Sequence, residues 1–239
     1  MARQRFDTGT GVSEAQTVAL LAELAQINAF FAVGTGARDD DWRPALRLYT
    51  DTALLDGIIG RVQARMDVAE QRVAASTFFL GFAARLWSIG LSALVGHQLL
   101  LDLDVQQLLF RESAGQIQLH IEHPVAWQGA DLEPMLADMV LDGHLAPLSA
   151  ALRRLGPISD KLLLGNAASA LLGAARVFDG NATAGPGWQL ARRLCTDERL
   201  SDTIRFDNVG YRRTSCCLYY RAPRGGLCGD CSMVEGGYR

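Results

Sequence analysis

The side chains best suited to chemistry in this chain are four thiols. In RRTSCCLYYRAPRGGLCGDC, residues 212–231, Cys216, Cys217, Cys228 and Cys231 follow the pattern C-C-x10-C-x2-C and account for four of the five cysteines. Thiols this close, on a backbone loosened by Gly225, Gly226 and Gly229, suit a metal or metal–sulfur centre. Three chemistries compete for them. Disulfides need an oxidising compartment and would leave Cys195 as an odd fifth thiol. A structural zinc usually draws on two spaced pairs whose thiolates converge on one ion, which adjacent cysteines fit poorly. In an extended segment neighbouring side chains point to opposite sides, so Cys216 and Cys217 more naturally serve two atoms of a wider object. A two-iron, two-sulfide cluster is such an object, although this spacing is neither the bacterial nor the plant ferredoxin pattern.

The charges nearby lean the same way. Four thiolates and bridging sulfides give an oxidised two-iron cluster about two net negative charges, and reduction adds another. Arg212, Arg213, Arg221 and Arg224 share the segment. Positive charge there stabilises a reduced cluster, and a guanidinium can also receive an acidic iron chelate. The plainer alternative for any one of them is a solvated surface, and Tyr219 and Tyr220 read as packing residues.

The segment SCCLYYRAPRGGLCGDC closely resembles the carboxy-terminal motif of the FhuF-like ferric-siderophore reductases. A second stretch, PISDKLLLGNAASALLGAARV at 157–177, resembles a helix of that family with a G-N-x-A-S core, here Gly165, Asn166, Ala167, Ala168 and Ser169. The resemblance implies a [2Fe-2S] cluster on Cys216, Cys217, Cys228 and Cys231 and one-electron reduction of a ferric siderophore in the cytoplasm. It implies an electron donor of the ferredoxin or reduced nicotinamide or flavin kind, and allows peripheral contact with a siderophore importer. Expected substrate contacts are Arg85, His144, Asn166, Arg212, Arg213, Arg221 and Arg224. Two rival classes are a siderophore-binding accessory protein with a structural cluster and a zinc-stabilised interaction module.

The remaining sequence must position these groups. Nearly half the residues are hydrophobic and the formal charge is −3, so nothing points to nucleic acid or an anionic membrane as partner. The opening MARQRFDTGTG lacks the apolar run of a secretory signal and reads as a frayed lead-in. Ser13 and Gln16 form a plausible capping box for a helix reaching Gly34. The GTG at 34–36 follows a predicted helix and lacks a third glycine, which argues against a nucleotide loop. Trp42 reads as a core anchor, and an amphipathic helix is predicted from Thr52 to about Arg72.

Residues 77–96 are apolar enough to raise a membrane question, but Arg85 near their middle favours a buried helix, or two with a break near Gly90. A buried Arg85 needs an acid or carbonyl partner, or faces a cavity. A β-hairpin is predicted near 105–122, turning at Glu112 to Gly115, with Ile117, Leu119 and Ile121 on one face. Its polar face could wall a groove; His120 and His123 lack a third metal ligand at suitable spacing. Helices resume at 131–139 and 144–155, separated at Gly143, then from Ser159 to Gly180 and from Trp188 to Leu194. A short strand is allowed from Thr203 to Val209. The expected fold is mainly α with a small antiparallel β-sheet: a helical substrate domain over 1–200 and an iron–sulfur segment over 201–239.

Overall fold

The capping box predicted at Ser13 forms: its hydroxyl accepts from the Gln16 N–H (3.3 Å), while the Gln16 carbonyl oxygen accepts from the Ser13 N–H (3.1 Å). This starts α1 (Glu14–Leu24), which ends well before Gly34. The computed structural model describes residues 10–113, 116–182, 184–207 and 210–234. The predicted lead-in at 1–9, Ala114 and Gly115 of the predicted hairpin turn, Asn208 and Val209 of the predicted strand, and 235–239 of the predicted iron–sulfur segment lie outside them. After α1 the chain folds back to bury Phe31, and Gly34–Thr35 becomes a strand, β2, because it pairs in parallel with a later one. Helical spacing up to Phe31 therefore misled: Phe31 is buried by a turn rather than a helix face.

Asp51 separates α2 (Leu46–Thr50) from α3 (Thr52–Met66), and its carboxylate caps α3 by accepting from the Leu54 N–H (3.0 Å). α3 stops short of Arg72 because Asp67 turns left-handed, at φ 55°. The next helix, α4 (Gln71–His97), runs without a break. Gly90 allows close packing rather than a kink, since a Cβ there would lie 2.4 Å from Leu136 Cδ1. By length and hydropathy α4 could cross a membrane, but 72% of its apolar window is buried inside the protein, as befits a core helix.

The two helices predicted around Gly143 are one: α5 (Leu132–Val140) continues through a π turn (Leu141–Leu145) into α6 (Ala146–Leu155). The Ala146 N–H reaches back to Leu141 O, so the helix absorbs an extra residue at Gly143 instead of ending there. That turn carries His144 into the core, fully buried. Its Nε2 lies 2.5 Å from Leu103 O, an acceptor, so Nε2 carries the proton and Nδ1 accepts from Tyr49 Oη at 2.6 Å. Both ring nitrogens are used, which corrects the expectation that His144 meets substrate.

Burial pushes the His144 pKa down to about 4 from an ordinary 6.5. Between those values the unfolded chain binds a proton that the folded chain refuses, so stability falls as pH drops from 6.5 to 4, by about 3 kcal/mol. Denaturant melts across this window should show that slope in the parent protein and not in His144→Gln. Parallel curves would mean the imidazole already titrates normally.

The longest helix packing pairs α4 with α7 (Asp160–Phe178), and α8 (Pro186–Leu194) lies against both. Three small sheets complete the fold. One orders β1 (Thr10–Gly11), β7 (Ala126–Gln128) and β4 (Leu100–Leu101). The second orders β2, β6 (Gln116–Ile121), β5 (Leu109–Ser113) and β3 (Arg43–Pro44), all antiparallel except β2 with β6. The third is the hairpin of β8 (Ile204–Phe206) and β9 (Tyr211–Arg213). The protein is thus mainly helical α+β, as its periodicity predicts. His120 sits at 5% exposure with Nε2 2.8 Å from Gly36 O, and Trp42 packs on its ring, so both serve the fold.

Candidate metal centre

The cysteine segment hangs from the β8–β9 hairpin, and the hairpin is clamped to α8. Trp188 packs against Tyr211 (centroids 5.6 Å) and Phe206 (6.4 Å), while the Arg192 guanidinium covers Phe206 at 4.1 Å. Alternation along β9 then buries Tyr211 and Arg213 on the same face. Arg213 is therefore driven inward, although its charge would place it in water.

A buried polar network receives it. The Arg213 guanidinium donates to Asn166 Oδ1 (2.7 Å), Cys228 Sγ (2.8 Å) and Asp230 Oδ1 (2.9 Å). Asn166 on α7 donates in turn to Ser76 O (3.1 Å) and Ser76 Oγ (2.9 Å), and Ser76 on α4 donates to Cys217 O (2.6 Å). One chain of hydrogen bonds thus joins both central helices to the cysteine loop from two sides. Burial works to lower the Arg213 pKa, but Asp230 and the Cys217 and Cys228 sulfurs outweigh it, so the net shift is upward and the group stays cationic.

Cys217 Sγ and Cys228 Sγ stand 3.6 Å apart. Two thiolates on one tetrahedral ion, with bonds of about 2.3 Å, would stand about 3.8 Å apart, so this pair is already spaced to share an ion. The hydrogen bond from Cys228 pushes Cys217 down to about 6 against burial, aided by Arg213, while the donating Cys228 is pushed up. Backbone N–H groups reach the other two sulfurs: Leu218 N to Cys216 Sγ (3.3 Å) and Met233 N to Cys231 Sγ (3.4 Å). Among the described residues no three His, Cys, Asp or Glu side chains converge on a single point. One close pair, two further thiols and N–H donors on the sulfurs make a donor set that a two-iron, two-sulfide cluster could use. Cys195 is apart from this group, its thiol pushed up to about 12 by burial.

Gly225 needs its lack of a side chain, since a Cβ would lie 2.0 Å from Tyr219 O, whereas a Cβ at Gly226 would meet nothing within 4 Å. Gly165 of the G-N-x-A-S stretch has a matching role, because its Cβ would fall 2.3 Å from Ser215 Oγ, just before the cysteine pair. Gly165→Ala should therefore cost about 1–3 kcal/mol in chemical denaturation by displacing Ser215. In a Ser215→Ala background the clash is gone, and the same change should be neutral or stabilising through helix propensity. Equal effects in both backgrounds would refute this contact.

The structure sorts the other expected contacts. Asn166 is fully buried and Arg213 nearly so, with their bonds turned to the network; they position the cysteine loop and present no free face to a substrate. Arg212 donates to Val234 O, and Arg221 pairs with Glu70 at the start of α4 (2.5 Å). Arg224 is exposed beside the loop. Arg85 lies apart, on the far stretch of α4. Two residues missed from the sequence are Ser76 and Asp230. Asp230 had a signal, an acid between two cysteines in an arginine-rich segment; Ser76 had none.

A family model, the FhuF 2Fe-2S C-terminal domain, matches residues 213–231, the span from Arg213 to Cys231. A search of curated proteins finds no match to the chain.

Proposed function

We propose, from a cysteine segment that is FhuF-like, that this protein is a cytoplasmic ferric-siderophore reductase. Residues 201–239 would hold a [2Fe-2S] cluster on Cys216, Cys217, Cys228 and Cys231, and the helical body over 1–200 would receive the chelate. The observation that carries this reading is the cysteine loop itself, with a close Cys217–Cys228 pair and a buried cation bonded to Cys228 Sγ.

When bound, the cluster supplies one electron at a time. The chain's own groups do the rest. Arg213 and the Leu218 and Met233 N–H groups place positive charge and dipoles on the sulfurs, which favours the more negative, reduced state. Tyr219, Tyr220 and Leu227 leave an exposed apolar rim around the loop, and Arg224 adds a positive charge to it. Such a rim suits an anionic chelate with an organic backbone, or an acidic electron donor. Reduction of chelated Fe(III) releases the metal because hydroxamate and catecholate oxygens hold the harder ferric ion far better than the ferrous one.

Anaerobically purified protein tests the reading through its visible spectrum, with iron and sulfide assayed on the same sample. Absorption that bleaches with reductant and returns as a ferric siderophore is converted to Fe(II) is the expected result. Cluster absorption that does not respond to the chelate would leave a structural cluster. A colourless, zinc-containing sample would replace the redox centre with a zinc clip.

A further inference from the structure

Positions 77, 81 and 85 of α4 recur at i, i+4 and i+8 and so form one stripe. The stripe faces a groove of about 330 Å³ bounded by α3, the turn after α1 and the β5–β6 hairpin, a size suited to a small organic ligand. Each position departs from what a plain core helix would place there.

Arg85 is only 8% exposed, yet among the described residues its guanidinium makes a single hydrogen bond, from Nη1 to Ala29 O (2.7 Å), and lies 4.8 Å from the Phe30 ring centre. Among the described residues no carboxylate pairs with it. Glu112 on the groove wall is held instead by Arg61 at 2.5 Å. The Thr77 hydroxyl is buried and has no hydrogen-bond partner among the described residues. Gly81 sits inside a long helix, where alanine would be about 1 kcal/mol more favourable. A Cβ added at Gly81 would meet nothing within 4 Å, so no neighbour requires the glycine and the missing side chain leaves open space.

We propose that this groove binds a compact organic anion, a carboxylate on an aryl or short acyl body. Arg85 would take the carboxylate through its remaining donors, the Thr77 hydroxyl would find its partner in the ligand, and the body would fill the space over Gly81 against Phe78 and Phe82. The exposed Phe30 ring is part of the groove's lining. The same chemistry belongs to a free arylcarboxylate and to the terminal arm of a larger iron chelate. No cysteine lines the groove, so this site goes beyond the metal-centre reading and stands or falls separately from it.

Benzoate titrated into the full-length protein, with its metal centre intact, provides the test by calorimetry and saturation-transfer NMR. Saturable one-to-one binding is expected, with neutral benzamide at least about tenfold weaker. Arg85→Gln and Gly81→Leu should each weaken benzoate at least about tenfold, the first by removing the charge and the second by filling the space. Circular dichroism and the visible spectrum should stay unchanged. Should Arg85→Gln fail to fold for want of its bond to Ala29, Gly81→Leu still decides, because it favours the helix and enters open space. A ferric arylcarboxylate chelate that displaces benzoate would assign the groove to a chelate arm; one that does not would assign it to the free anion. Absence of benzoate binding, equal binding of benzamide, or undiminished binding by a folded Gly81→Leu overturns the proposal.

Discussion

On the proposed reductase reading, Cys228→Ser should bleach the protein and stop ferric-chelate reduction while the helices stay folded. The Cys228 sulfur is the point where three influences meet: the Cys217 thiol at 3.6 Å, the Arg213 guanidinium at 2.8 Å and the turn closed by Cys231 N to Cys228 O at 3.1 Å. A serine oxygen is a harder ligand and cannot span the same bond lengths, so iron and sulfide should be lost together. The loop joins the core through Ala222 and Leu218, while the helices keep their packing against one another, so far-UV circular dichroism should be retained. The rate should fall by about 100-fold or more, since even residues behind the ligands are worth 10–100-fold in comparable centres. Cys195→Ser, remote from the loop, should leave colour and rate intact. A colourless Cys228→Ser that still reduced the chelate at the parental rate would remove the cluster from the mechanism.

Arg213→Gln should be among the most damaging substitutions for both stability and redox behaviour. Arg213 and Asp230 form a buried ion pair, and removing one partner leaves an uncompensated buried charge, a loss of about 3–5 kcal/mol. The double variant Arg213→Gln with Asp230→Asn, which removes both charges, should recover a large part of that loss. In whichever variant retains the metal centre, potentiometric titration should give a lower reduction potential, because an N–H donor and a positive charge have left the Cys228 sulfur. Wild-type stability together with an unchanged potential would show that the network holds nothing.

Local features of this fold were legible because local chemistry decides them. The capping box at Ser13, the extent of α7 and the α8 start near Trp188 follow from neighbours within a few residues. The cysteine motif was legible for the same reason. What the sequence hid depends on partners far along the chain. Gly34 looked like a helix stop and became a strand because β6, more than eighty residues later, offers an edge. Gly143 looked like a break, but the flanking Leu141 and Leu145 bury themselves on either side, and a π turn keeps the helix whole. Asn166 reads in the sequence as a substrate contact because its partners are out of view. Those partners, Ser76 and Arg213, come from α4 and β9, and no periodicity connects them. Arg213 reads as a solvated cation in the sequence; the alternation of β9 and the anchor at Tyr211 turn it inward.

The hydrogen-bond chain from Ser76 through Asn166 to Arg213 also orders events in time. Ser76 and Asn166 are both synthesised before the thiols they support, and at about 5–20 residues per second the stretch from Asn166 to Cys231 takes several seconds to make. Helices α4 and α7 can pair during that interval without any cysteine present. The cysteine loop then arrives at a surface whose receiving groups, Ser76 and Asn166, are already made, so its placement becomes a docking step onto a finished body.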